Sequence, residues 1–347
     1  MGKPIASFLL LAALAASPLI ADEGRIPVFG PITINQPGDY VLTRDISVSG
    51  GHAVTIRSNN VTLDLNGHTI VSSGVSFSDD VILVSTAFAT NGVTIRNGRI
   101  QGGYSGILSD NFNAVRIRIQ GVEIQRSAYI GLYITIGEEA DIEDCYVHDA
   151  ANAGMTIVSH GGTIVGNIVE GVGGYGIWVQ GLRAGQVLRN VVRNFGSAFV
   201  NVAGILLSGS APLGTFAGAL VQGNSVGALP GGTDDDGIVI ANTSSNDLVI
   251  ENNASYNGRF GIFTLGDGTR LERNVASHNG TEGIRIGNAD PSGMRCHLEA
   301  NQIVDNPCGI EFVNGPTHSY RNNLLRGNTT AVCGIGAGNL DAGGNIF

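Results

Sequence analysis

The chain has 347 residues, 52 of them glycine, with 14% charged and 43% apolar residues and a formal charge of −10. That is too apolar for a disordered segment, and the glycines follow no Gly-X-Y period; the acidity opposes capture of nucleic acid or an anionic membrane by bulk charge. The length suits two domains unless the core grows along one axis, as in a repeat array.

Residues 1–21 read as a secretion leader: Lys3, an apolar run from Phe8 to Ala16, and a stretch ending at Ala21. The run is too short to span a membrane and no later stretch is long enough, so a secreted or periplasmic protein is expected. Lys3 is the only lysine, and its loss with the leader takes the formal charge from −10 to −11. Residues 22–50 carry short strand patterns broken by Pro31 and Pro37-Gly38, suited to capping the open end of a stack. Residues 53–70 alternate apolar and polar positions, with turns at Asn59-Asn60 and Asn66-Gly67, and residues 92–100 start the pattern again.

Residues 51–347 are then expected to form one array. Residues 252–264 (NNASYNGRFGIFT) and 274–286 (NVASHNGTEGIRI) are one unit written twice, 22 positions apart. A column of Gly-apolar pairs runs through Gly106, Gly131, Gly154, Gly176, Gly204, Gly237, Gly261, Gly283 and Gly309, with a last copy placed at Gly334. A second column runs through Asn167, Asn190, Asn224, Asn252, Asn274, Asn301, Asn323 and Asn345, with Gly121 and Cys145 in the same register. The long step from Asn190 to Asn224 carries an insertion, assigned to residues 208–218. Each unit holds three short β-patterned pieces and no amphipathic helix. Such pieces pair with their equivalents one period away, in parallel. The apolar residue after each Gly and the residue two further on point inward, and the Asn column fills an inside corner as a structural ladder.

These repeats resemble the right-handed parallel β-helix family of the pectate-lyase-like superfamily, and within it the secreted NosD-type repeat proteins. The resemblance implies an all-β, single-stranded right-handed parallel β-helix of about 10–12 coils.

Four cysteines, Cys145, Cys296, Cys308 and Cys333, match no zinc or redox spacing. Cys308 and Cys333 each precede a Gly-Ile pair, which puts them on adjacent coils within reach of a disulfide; two reduced thiols filling the core are the alternative. No histidine pair has metal-ligand spacing, so no zinc or copper site is expected.

Between the inward positions lies an outward stripe: Leu108, Tyr133, Thr156, Trp178, Leu206, Val239, Phe263, Arg285 and Glu311. Large apolar groups facing water on one face require an occupant. Tyr133, Trp178 and Phe263, with Glu311, could hold a sugar chain, or a loop or second copy of the chain could cover them. Close by in register, Asp234, Asp235 and Asp236 precede Gly237, with Arg259 and Glu282 on the next coils. Tyr256, His278 and Asp305 share a column, and Arg285 neighbours Glu311. The expectation is one patch over residues 234–311, in which the aspartates supply acid or calcium ligands, His278 or Tyr256 carries a proton, and Arg259 or Arg285 meets substrate carboxylates.

The superfamily resemblance implies polysaccharide lyase or glycoside hydrolase chemistry at this part of the coil. Here the three aspartates share one turn, His278 sits in Ser-His-Asn-Gly, and Gly-Ile-Arg-Ile-Gly-Asn lacks a lysine. The expected function is binding or processing of an extended polysaccharide. The alternative is a non-catalytic structural or adhesive β-helix that assembles through the stripe, and the Asp run then is an ordinary solvated turn.

Overall fold

Strand pieces of three to five residues cannot bury a face against their sequence neighbours. In the computed structural model they pair instead with the equivalent piece one coil away. The structure describes residues 24–84, 91–199, 201–209, 216–228, 235–287, 295–313, 317–334 and 339–347. The expected leader and Asp234 lie outside them.

Among the described residues every strand pairing is parallel, and the strands form a 13-stranded sheet, a 23-stranded sheet and a two-stranded accessory. In a typical coil, Gly161–Val165 and Ile168–Glu170 enter the large sheet, whose two runs make two faces, and Ile177–Gln180 enters the 13-stranded sheet on the third. Among the described residues Ile26–Val28 and Ile32–Ile34 are the outermost strands at the amino-terminal end, where an end cap was expected. They keep the same parallel register, Ile26 facing Tyr40 and Ile32 facing Val54. The extra length between Asn190 and Asn224 is divided between two turns. One lies between the strands ending at Arg193 and starting at Ala203, and the other between those ending at Ser208 and starting at Leu220. The sequence assigned all of it to residues 208–218, of which 210–215 lie outside the described residues.

The inward column Ile107, Leu132, Met155, Ile177, Ile205, Ile238, Ile262, Ile284 and Ile310 is completely buried. Each such side chain stabilises the stack by about 1.5–3 kcal/mol, and the expected inward partners Val179, Thr264 and Ile286 are equally buried. At the corner the asparagines form the expected ladder. Asn274 Nδ2 donates to Val249 O (2.8 Å) and to Asn301 Oδ1 (3.0 Å), while its own Oδ1 accepts from the backbone and side-chain nitrogens of Asn252 (3.0 Å each). The ladder starts where Cys145 N donates to Asn167 Oδ1, and it ends at Asn345. A shorter second ladder joins Asn257, Asn279, Asn306 and Asn328 at another corner. It explains part of the glycine column: a Cβ on Gly261 would lie 2.6 Å from both Asn279 Nδ2 and Gly283 O.

The last copy of that column is Ala331-Val332, not Gly334. Ile310 faces Val332, and Gly334 lies beyond the strand Thr330–Cys333 in a left-handed turn (φ 59°). The coil simply keeps its 22-residue period from Gly309 to Ala331. Cys308 and Cys333 do form the disulfide, with 6.3 Å between their Cα atoms. Their register differs from the expected one, since Cys308 faces Thr330 and Cys333 faces Glu311. The bridge therefore runs diagonally between the last two coils. Cys145 and Cys296 are buried free thiols, and burial pushes both up to about 12.

Candidate functional site on the outer face of the 13-stranded sheet

The outward stripe is one continuous column. Leu108 faces Tyr133, Tyr133 faces Thr156, Thr156 faces Trp178, and the pairing continues through Leu206, Val239, Phe263, Arg285 and Glu311 to Cys333. It divides into an aromatic half and a charged half.

In the aromatic half, rings from the turns join those from the strands. Tyr104 and Tyr129, at the turns entering Ser105–Asn111 and Ile130–Ile136, stack with centroids 4.9 Å apart, and Phe77 meets Tyr104 edge-on at 5.5 Å. Tyr175 lies 5.1 Å from Trp178, whose Nε1 donates to Ser208 Oγ at 2.8 Å. Tyr129, Tyr133, Tyr175 and Trp178, with Asn152 and Gln180, line an open cleft of about 260 Å³. Aromatic walls with amide and hydroxyl groups between them suit the apolar faces and hydroxyl edges of sugar rings. The sequence reading missed Tyr104, Tyr129 and Tyr175. Their signal was available, because Tyr104 and Tyr129 both stand two places before a Gly-Ile or Gly-Leu pair and Tyr175 stands one place before Gly176.

In the charged half, Arg259 grips Asp236 with two bonds, Nε to Oδ1 at 2.8 Å and Nη2 to Oδ2 at 2.6 Å, and reaches Asn201 Oδ1 through Nη1 at 2.8 Å. Burial raises the Asp236 carboxyl above its ordinary range even though Arg259 opposes the shift. Arg285 lies 3.2 Å from Glu311 and 3.9 Å from Glu282, and its guanidinium sits 4.8 Å from the centre of the Phe260 ring and 5.7 Å from that of Phe263. Burial, with Glu311 adding to it, raises Glu282. The disulfide closes this half, since Cys308 faces Glu282 and Cys333 faces Glu311.

The single patch expected over residues 234–311 is divided. Tyr256, His278 and Asp305 do form a column: the Tyr256 and His278 rings stack at 4.8 Å, and His278 Nε2 is 3.7 Å from Asp305 Oδ2. They occupy left-handed turn positions (φ 61°, 55° and 56°), one residue before the Asn257, Asn279 and Asn306 ladder. Tyr256, 65% exposed, borders a cleft of about 420 Å³ on the large sheet, shared with Arg193, Asn253 and Ser277. The column thus stands at the corner, with its Tyr on another face from Arg259 and Arg285. Asp235 is likewise displaced. Its carboxylate packs against Gly196, where a Cβ would lie 2.1 Å from Oδ2, and it is the Asp235 carbonyl that accepts from Arg259 N (2.9 Å). Gly196 combines that contact with a φ of 78°, so no larger residue fits there. Among the described residues no group of three or more His, Cys, Asp or Glu is placed to hold a metal ion. Both Asp236 oxygens are occupied by Arg259, which leaves that carboxylate poorly suited to calcium.

The sequence profile described as the right-handed beta helix region matches residues 80–246 and 232–347. The chain belongs to this family. Two similar solved structures are A-modules of Azotobacter vinelandii mannuronan C-5 epimerases. The AlgE6 module is 16% identical, with 89% of this chain and 90% of that one covered and a TM-score of 0.72. The AlgE4 module is 15% identical, with 90% and 91% covered and a TM-score of 0.60. The Dettilon tailspike protein gp208 is 14% identical, with 89% of this chain and 60% of that one covered and a TM-score of 0.57. At these identities the likeness is one of fold. No curated protein matches the sequence.

Proposed function

We propose that this β-helix engages an extended polysaccharide along the outer face of its 13-stranded sheet. One observation carries the reading: five aromatic side chains, Tyr104, Tyr129, Tyr133, Tyr175 and Trp178, line one run of that face over successive coils. Similarity in fold to two proteins named as mannuronan C-5 epimerases supports a polysaccharide ligand in general. The proposed export with residues 1–21 as leader fits an extracellular or periplasmic glycan; among the described residues no helix is long and apolar enough to cross a membrane. If the protein turns its ligand over, the reaction is that of a polysaccharide lyase or glycoside hydrolase. Its charged groups on this face are then Asp236, Glu282, Glu311, Arg259 and Arg285.

The test is a glycan panel (pectate, alginate, chondroitin and neutral glycans) with calcium or chelator, read by affinity electrophoresis, ultraviolet absorbance and new reducing ends. Trp178→Ala and Tyr133→Ala remove outward rings without touching the core, and each is expected to weaken binding about tenfold. Unchanged retardation in both folded variants would sink the reading. Sedimentation mass then decides for assembly if the same face proves to be buried between copies.

A further inference from the structure

At the amino-terminal end of the face, a cavity of about 50 Å³ is lined by Phe77, Asp80, Tyr104, Leu108, Tyr129 and Tyr133, with Ser105 and Asp110 completing it. We propose that this cavity is an ammonium site, which takes the protonated amino group of an amino-sugar unit in the bound glycan. The inference rests on the glycan reading above and names the class of sugar.

Three independent features meet there. The first is the wall. Phe77, Tyr104 and Tyr129 form a run of touching rings, and Phe77 is 81% exposed, a large aromatic held out in water at the rim. Ring faces attract cations, and they do so more strongly once the cation is desolvated. The second is Asp80. It is only 2% exposed, it borders the cavity, and Oδ1 accepts from Ser105 N at 3.2 Å. The Ser105 hydroxyl also hydrogen-bonds this carboxylate, and His52 Nδ1 lies 2.8 Å from the Asp80 carbonyl rather than its carboxylate. Burial pushes this carboxyl above its ordinary range, the direction that a bound cation reverses. The third is charge along the face. At the far end Arg259 and Arg285 answer Asp236, Glu282 and Glu311. At this end, among the described residues, no arginine is paired with Asp80 or Asp110. Among the described residues this face sets the carboxylates Asp80, Asp110, Asp236, Glu282 and Glu311 against the guanidiniums Arg259 and Arg285, in a chain of formal charge −10. A polyuronate would be repelled along it and a polyamine attracted.

Tyr129 and Tyr133 also line the 260 Å³ cleft that runs to Trp178. A chain with its amino group in the small cavity therefore continues over the aromatic floor. Size agrees as well, because the small cavity has room for an ammonium group and not for a sugar ring.

The probes are a β-1,4-linked glucosamine hexamer and its fully N-acetylated counterpart, equal in length and differing in charge, titrated into the full chain with calorimetry and Trp178 fluorescence. The glucosamine hexamer is expected to bind about tenfold more tightly or better. Asp80→Asn, Asp110→Asn and Phe77→Ala should each reduce that preference, with Asp80→Asn bringing the two probes to within about twofold. If Asp80→Asn fails to fold, the exposed positions Asp110 and Phe77 keep the test intact. Equal binding of the two hexamers overturns the ammonium site and leaves the glycan reading standing. Absence of binding to the glucosamine hexamer overturns it too, and the panel above then decides the glycan reading separately. A preference that survives all three substitutions places the amine elsewhere and also refutes the assignment.

Discussion

Arg259→Met tests whether the arginine–carboxylate pair holds the charged half of the face together. Asp236 is 4% exposed, so its charge is tolerated because Arg259 supplies two bonds to it, at 2.8 and 2.6 Å. Methionine keeps most of the packing over Phe260, where the guanidinium carbon lies 4.5 Å from the ring centre, and removes the cation together with its bonds to Asp236 and to the exposed Asn201. What remains for the carboxylate is the Phe260 backbone N–H, a long contact at 3.4 Å, and the more distant charge of Arg285. Stranding one partner of a buried pair costs about 3–5 kcal/mol. The sign with pH follows from burial. The Asp236 carboxyl is already raised above its unfolded value and rises further without Arg259, so the folded variant favours the protonated form. Its deficit against wild type is therefore largest at neutral pH and shrinks as acid protonates Asp236. Solenoids open locally, so the assay is amide hydrogen exchange over Asp236–Ile240 and Phe260–Thr264, backed by urea unfolding at pH 7.5 and pH 4.5. A loss below about 1 kcal/mol at neutral pH, or one equal at both pH values, refutes the claim that the pair is an electrostatic clamp. Asp236→Asn combined with Arg259→Met should restore much of the loss, because no charge is then left buried.

Asn274→Ala removes four ladder contacts and strands the Val249 carbonyl and two Asn252 donors, so unfolding should become easier by about 3–5 kcal/mol. Asn345→Ala, at the open end of the ladder, should cost under about 1 kcal/mol, and equal losses at the two sites would contradict a buried ladder. Asp247 is completely buried between Ser244 Oγ and Ala219 N, and burial raises it to about 6. Its neutral form is the one the fold favours, so its contribution is present below the unfolded value of 3.8 and is lost as pH rises through about 6. Asp247→Asn should therefore raise stability by up to about 3 kcal/mol at pH 8 and by little at pH 4, measured as urea midpoints at the two pH values. A gain of the same size at both would remove Asp247 titration as its cause.

What the sequence made legible was register. A period near 22 residues, a Gly-apolar pair and an Asn per coil fix which residues stack, and the stripe from Leu108 to Glu311 stands in the expected column at every strand. Direction at the turns was not legible in the same way. Period-two alternation says where a side chain points only inside a strand. From Gly106 to Gly309 each coil enters the 13-stranded sheet through a Gly whose missing Cβ would point inward, as does the apolar residue after it, and Val81 takes the Gly position beside Asp80. Two successive inward positions shift the parity of everything before them. That shift turns Asp236, and not Asp235, towards Arg259, and it leaves Asp80, which faces Ser105 in the same register, on the outer side. Tyr256, His278 and Asp305 stack as the column count required, yet left-handed backbone at each of them sends the column to a corner. Tyr104 and Tyr129 were hidden for the converse reason. They lie in turns of variable length, where no periodicity could show that they lean over the stripe.

The division of the face into two halves has a chemical consequence. The candidate acid–base groups of the charged half are largely spent on one another: Arg259 on Asp236, and Arg285 between Glu282, Glu311 and two phenylalanine rings. Either group could act on a ligand only by exchanging an existing contact for a new one, at the expense of the desolvated partner left behind. The aromatic half requires no such exchange. Its rings stand open to a ligand, and Asp80 already presents a carboxylate at their edge. Recognition by this face is therefore expected to begin at the amino-terminal coils. Any chemistry must then wait for the ligand to extend along the stripe and displace the pairs around Arg259 and Arg285. An oligosaccharide long enough to reach from Tyr104 to Phe263 should lower the hydrogen-exchange protection of Phe260–Thr264 on binding, whereas one confined to the Tyr104–Trp178 stretch should not.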